Sequence, residues 1–378
     1  MAQGAKMEIG ANSPILLRGH MKSRTVLIGM LVWAGLSTLW AQSTPSPALL
    51  VLAKRDRSLA IVDPATLKVV GRVPAGPDPH EVIASPDGKI AYMSNYGGGA
   101  YNTISVADLV AQKSLPSIDL GVLHGPHGLW FAGGKLYFTA EANKVIGRYD
   151  PSTGKIDWIL GTGQDRTHMI VVSKDLDRIF TSNVSSATIS IIDKVTRPMR
   201  PMGPPPGAPN GPPLPRGGPN GPPPGPRGPN WEQTVIAVGR GSEGFDVTPD
   251  GKELWAANAQ DGTISIIEIA GKKVTQTLDA NVRGANRLKF TLDGKRAFVS
   301  SLGGADVAVF DVSTRQDVKR IKLGRGAAGI LMQPDGSRVY VACSPDNYVA
   351  VIDLATLEVV GRIEAGQEPD GLAWATRQ

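Results

Sequence analysis

From residue 48 onward the chain alternates short apolar runs with polar turns. Runs such as "LAIVD", "TISIIE" and "VAVFD" are rich in Val, Ile, Thr and Phe, which suit a pleated, half-buried surface. Gly, Asp, Asn or Pro bounds each run. No stretch after residue 47 sustains the 3.6-residue period of an amphipathic helix. The pattern predicts an all-β protein.

The runs recur as a unit. "ASPDGKIAYMSN" at 84–95 returns as "VTPDGKELWAAN" at 247–258, "FTLDGKRAFVSS" at 290–301 and "MQPDGSRVYVAC" at 332–343. Weaker copies are "FAGGKLYFTAE" at 131–141 and "VSKDLDRIFTSN" at 172–183. The period is about 42 residues, and each unit reads as four strands with an Asp-Gly turn joining the first two. Four-stranded repeats of this length predict a β-propeller. The chain opens at residue 48 with strands two to four of a unit, and "AGQEPDGLAWATRQ" at its end supplies only a first strand. The prediction is therefore seven four-stranded antiparallel blades over 48–376. The C-terminal strand pairs into the first blade and closes the ring, and the other units begin near 76, 121, 161, 239, 282 and 324. Closure removes exposed sheet edges.

These units resemble the YVTN family of β-propeller repeats, as in YncE-like secreted bacterial proteins. The family's Tyr-Val-Thr-Asn core appears as Tyr92-Met93-Ser94-Asn95, Phe180-Thr181-Ser182-Asn183 and Trp255-Ala256-Ala257-Asn258. The third unit departs from it, with "AGGK" as its turn and Glu141 in the place of the Asn. The resemblance implies the fold and leaves the function open, because propellers host many roles.

Two segments stand outside the repeat. "MKSR" at 21–24 followed by the apolar "TVLIGMLVWAGLSTLW" at 25–40 reads as a secretory signal peptide over 21–41, cut near Ala41. Leu39 makes the cleavage site imperfect, so an uncleaved anchor is the alternative and the one predicted link to a membrane. Residues 1–20 read as an upstream extension or a misassigned start. Residues 198–230 are dense in Pro and Gly and hold no acidic residue, which predicts a disordered insertion between the third and fourth strands of the fourth blade. The expected location is periplasmic or secreted.

The chain has 378 residues, a formal charge of +6 and a single cysteine, Cys343. One cysteine excludes an internal disulfide and a Cys-based zinc or iron–sulfur site. Nucleic-acid binding ranks last, because the basic face has few aromatics on which bases could stack.

Candidate chemistry gathers in one column. Seven residues before the turn aspartate stand His80, His168, Glu243, Asn286 and Ala328, with His127 placed by a one-residue gap and Asp370 supplied by the C-terminal strand. These positions are predicted to ring one mouth of the central channel. His80, His127, His168 and Glu243 suit a divalent transition metal, and the same groups suit acid–base work. Solvation, or hydrogen bonding between blades, is the competing reading. Three residues earlier lie Arg240, Arg283, Arg325 and His124, which with Asn286 and Asp370 are candidates for holding an anion. Tyr96 and Tyr101 stand in the nearby loop "YGGGAYN". The leading expectation is a monomeric binding scaffold for a protein partner or a small anionic ligand. The alternative is a metal-dependent propeller enzyme, lyase- or lactonase-like.

Overall fold

In a computed structural model, described over residues 43–195 and 230–377, the chain forms seven four-stranded antiparallel sheets and no α-helix. The first strands of the blades, in ring order, are Pro369–Ala375, Pro79–Ala84, Pro126–Ala132, Thr167–Val172, Ser242–Val247, Ala285–Phe290 and Ala327–Met332. Each packs against the first strand of the next blade, and the last packs against the first, so they line a closed channel. The C-terminal strand Pro369–Ala375 pairs with Ala48–Ala53 and completes blade 1, as the chain ends predicted.

Position in the blade accounts for the apolar pattern. Second and third strands, such as Ala48–Ala53 and Tyr348–Asp353, are buried on both faces between neighbouring blades and read as continuous apolar runs. Fourth strands, such as Lys155–Gly161, alternate exposed and half-buried positions on the rim.

Two side-chain devices repeat. In the turn after the first strand, Thr248 Oγ1 donates to Asp250 Oδ1 at 2.7 Å and accepts the Glu253 amide at 3.0 Å. Thr291 and Asp293 repeat this arrangement in blade 6. The second device explains the Asn of the repeat. Asn258 Nδ2 donates to Thr263 Oγ1 at 2.9 Å and Ser265 Oγ at 3.0 Å on the third strand. Asn95 and Asn183 do the same to Thr103 and Ser105, and to Thr188 and Ser190. The Asn is therefore a lock between strands, not a channel residue.

The segments read as an upstream extension (1–20) and a signal peptide (21–41) lie outside the described residues, as do residues 198–229 of the insertion. Asn230, its last residue, begins the fourth strand of blade 4, where Val195 pairs with it.

Candidate functional site at the channel mouth

Local backbone geometry aims the column into the channel. In every blade the pairing of first and second strands slips at the column residue, for example between Pro79 and Val82 and between Thr167 and Ile170. Such a bulge turns the side chain out of the regular pleat. The register confirms the gap placed before His127, since Pro126 pairs with Ala140 as Pro79 pairs with Asn95. It also corrects one alignment. Ala140, not Glu141, takes the Asn position. Glu141 stands one residue further, in a ring shared with Lys54, Tyr96, Val184, Ala259, Leu302 and Ser344.

Neighbouring blades hold the column in place. Thr139 Oγ1 donates to the His168 carbonyl at 2.8 Å, and Ser182 Oγ donates to the Glu243 carbonyl at 2.8 Å. The residue after the column residue is Gly128, Gly244, Gly329 and Gly371 in four blades. A Cβ on Gly371 would stand 2.5 Å from the His80 carbonyl oxygen, so a side chain there would push the blades apart.

All seven column residues line one cavity of about 500 Å³, together with Lys54, Tyr96, Arg166, Arg287 and Glu368. Three imidazoles form a row in it. The His80 and His127 ring centroids are 5.1 Å apart, and those of His127 and His168 are 3.7 Å apart. Glu141, buried behind the row, accepts a hydrogen bond from His168 Nδ1 on one oxygen and from the Tyr96 hydroxyl at 2.6 Å on the other. Glu243 Oε2 stands 3.0 Å from His168 Nε2. His80 Nε2 faces Asp78 at 3.2 Å, and its Nδ1 is 3.7 Å from Asp370. His127 Nδ1 is buried with no hydrogen-bond partner among the described residues.

The charges follow from these contacts. Burial pushes His127 well below its ordinary value, helped by His168, His80 and the two arginines, so it is neutral. Burial also disfavours charge on His168, but Glu243 and Glu141 overcome it and raise His168 to about 9. Burial likewise opposes charge on Glu243, yet His168, Arg166 and Arg287 hold it down to about 2. The adjacent imidazoles thus differ: His168 is a cation and His127 is not.

Two arginines in the cavity wall were not foreseen. Arg287 is buried and its guanidinium crosses the channel to Glu81 of blade 2, while Nη1 donates to the Asn286 carbonyl and side-chain oxygens, both at 3.1 Å. Arg166 stands 3.5 Å from Glu141 and 3.6 Å from Glu243, and its buried Nε has no hydrogen-bond partner among the described residues. Its backbone is left-handed, φ 51°. The same position is Gly125, Gly241, Gly284 and Gly326 in four other blades, where glycine has no steric penalty, and Asp78 and Glu368 in the other two, all left-handed. Non-glycine residues in such a conformation store strain and cluster at functional sites.

The predicted residues divide. His80, His127, His168, Glu243, Asn286 and Asp370 converge on the cavity. Arg240, Arg283, Arg325 and His124 do not line it. Arg240 and Arg325 are exposed and fold onto Asp261 and Asp346 of their own blades at 2.7 and 2.9 Å. Arg283 is exposed, and His124 Nδ1 meets the Ala100 carbonyl at 2.9 Å. Tyr96 lines the cavity and Tyr101 does not. The signals for the missed residues were weak but present. Glu141 stood out as a break in the repeat, and Arg166 replaces a glycine of the linker. A larger groove of about 1,040 Å³ among the Asp-Gly turns of blades 4–6 holds ion pairs already made, Arg178 with Asp193 and Lys194 with Asp177.

No family model and no curated protein matches the chain. Solved structures do. A functionally unknown protein of Desulfotomaculum acetoxidans matches at TM-score 0.67 and 14% identity, covering 88% of this chain and 100% of that one. A "putative 6-phosphogluconolactonase" of Bacteroides uniformis matches at 0.64 and 16%, covering 87% and 99%. Hydrazine synthase of Kuenenia stuttgartiensis matches at 0.62 and 19%, covering 85% and 99%. At these identities the likeness is one of fold alone: this chain is a seven-bladed β-propeller.

Proposed function

We propose that the propeller is a binding protein that holds a small anionic ligand in the channel-mouth cavity. The observation that carries this reading is Arg166. It is a cation held in a left-handed backbone at the cavity wall, whose ionic neighbours are loose: Nε stands 3.5 Å from Glu141 without a hydrogen bond, and Nη2 3.6 Å from Glu243. A guanidinium in that state favours a carboxylate or phosphate. Lys54 supports it from blade 1, across the ring, 3.5 Å from Asp370. Glu243, Glu368 and Asp370 share the lining with the cations, so an anion has to enter on the side of Arg166 and Lys54, while Glu81 and Glu141 stand behind the wall. With the likeness to YVTN repeats and the leader-like segment at 21–41, the reading places this binding outside the cytoplasm.

Thermal unfolding in the presence of a panel of small carboxylates and phosphates tests it. At least one anion should raise the melting temperature of the wild type and leave Arg166→Met unmoved. A panel that stabilises neither protein, or both equally, rejects the reading.

Hydrolysis of an anionic lactone or ester is a second reading, favoured by His127. A neutral imidazole with an unpartnered nitrogen beside a cationic cluster is suited to act as a general base. The Bacteroides neighbour's description names a lactonase activity. Acid release from 6-phosphogluconolactone, lost in His127→Ala, supports this reading. Release by the wild type no faster than in buffer removes it.

A further inference from the structure

We propose that His127, His168 and Glu141 form a site for one divalent transition-metal ion of the zinc class in the wall of the channel mouth. The site goes beyond the anion reading and stands or falls without it.

The three residues come from neighbouring blades and each offers a ligand atom within 4.8 Å of the other two. All three are buried. Glu141 has one oxygen directed to the cluster and the other held by a neighbour. Glu141 begins a short 3₁₀ turn whose amide donates to the Gly125 carbonyl at 3.0 Å. The Tyr96 hydroxyl holds Oε2, which leaves Oε1 facing His168 Nδ1. Glu243 stands at the opposite nitrogen of His168, at 3.0 Å. The pair lacks hydrogen-bond geometry, but a carboxylate at that distance behind a ligating imidazole raises its basicity, as the outer support of a metal site does. His127 lies against the His168 ring, and its Nδ1 is buried and unpartnered. A buried imidazole nitrogen without a partner is costly unless something binds there.

The donor set selects the ion. Two imidazoles and one carboxylate suit Zn²⁺ and its borderline neighbours, and they leave the remaining positions to water from the cavity that His127 and His168 line. Calcium and magnesium prefer sets made wholly of oxygen. In the metal-free protein the proton between His168 and Glu141 occupies the ion's place. His80 is not in the cluster, and its two nitrogens are turned to Asp78 and Asp370. An occupied site also consumes His127, so metal binding and the general-base reading above exclude each other.

The test uses the full chain stripped of metal and titrated with Zn²⁺ alone by calorimetry. One ion should bind per chain. His127→Gln, His168→Gln and Glu141→Gln should each weaken binding by at least about 100-fold, and Glu243→Gln by about 10- to 100-fold. His80→Gln should retain the wild-type affinity. Should a variant fail to fold, the wild type loaded with Co²⁺ gives the answer without it. Its paramagnetically shifted imidazole signals should come from two histidines. A wild type that takes up no stoichiometric Zn²⁺ overturns the proposal. So does undiminished affinity in Glu141→Gln, or a third histidine among the shifted signals.

Discussion

Glu141 in blade 3 accepts a hydrogen bond from His168 Nδ1 in blade 4, and the Tyr96 hydroxyl of blade 2 binds its other oxygen at 2.6 Å. One carboxylate therefore ties three blades at the channel mouth. In the metal-free protein, Glu141→Ala leaves a half-buried phenol and a buried imidazole without their partner. Breaking a buried charged pair in this way costs about 3–5 kcal/mol. Denaturant unfolding should show a loss of that size, with a smaller loss of about 1.5–3 kcal/mol for Tyr96→Phe, which removes one hydrogen bond to a charged acceptor. Equal stability of wild type and Glu141→Ala would show that the contact carries no weight.

Arg166→Gly separates binding from folding. The ion pairs it removes are loose and the arginine is 40% exposed, but Glu141 is 3% exposed, which puts their worth at about 1 kcal/mol, the upper end for surface pairs. The left-handed backbone relieved is worth about 1 kcal/mol or more. Stability should be unchanged or raised, while stabilisation by anions disappears. A variant that unfolds more easily and still responds to anions contradicts the assignment of Arg166 to the ligand.

Much of the fold was legible because propeller repeats print their geometry in the chain. The Asp-Gly turns, the apolar second and third strands, and the split unit at the two ends give blade number and closure. The column from His80 to Asp370 was legible for the same reason, since one register position recurs in every blade. Arg166 and Glu141 were harder to see. Each lies one residue away from the position the alignment compared, and each acts through contacts to a different blade that no repeat period reveals. Arg240 and Arg325 failed in the opposite way. Their position recurs, but in each an aspartate of the same blade captures the guanidinium.

Asn258→Ala tests the strand lock apart from the site. It removes two hydrogen bonds to Thr263 and Ser265 in the buried seam of blade 5. The unfolding free energy should fall by about 1–3 kcal/mol. Anion binding by the folded protein should stay at the wild-type level, because the side chain lies outside the cavity lining. A loss of binding without a loss of stability is the outcome that would sink the lock.

Acid should weaken the ring through its turns. Asp87, Asp175, Asp250, Asp293 and Asp335 are each held below the ordinary carboxylate value, first by a hydrogen bond from a Ser or Thr hydroxyl. Their folded values lie below the unfolded value of about 3.9, so the stabilisation is complete above that pH and is lost as pH falls through the folded values. Denaturation midpoints should fall from about pH 4 downward. The slope should be shallower in a double variant, Asp250→Asn with Asp293→Asn. An identical pH profile for the variant and the wild type would place the acid sensitivity elsewhere.

The central claim is that the cavity at the channel mouth binds an anion through Arg166. Its most direct test is a calorimetric titration of the most stabilising anion of the panel into wild type and Arg166→Met under one buffer and salt condition. The account predicts saturable binding of one anion per chain in the wild type, and affinity at least about tenfold weaker in the variant, the least expected when a charged hydrogen bond is removed. Equal affinity in the two proteins would contradict it.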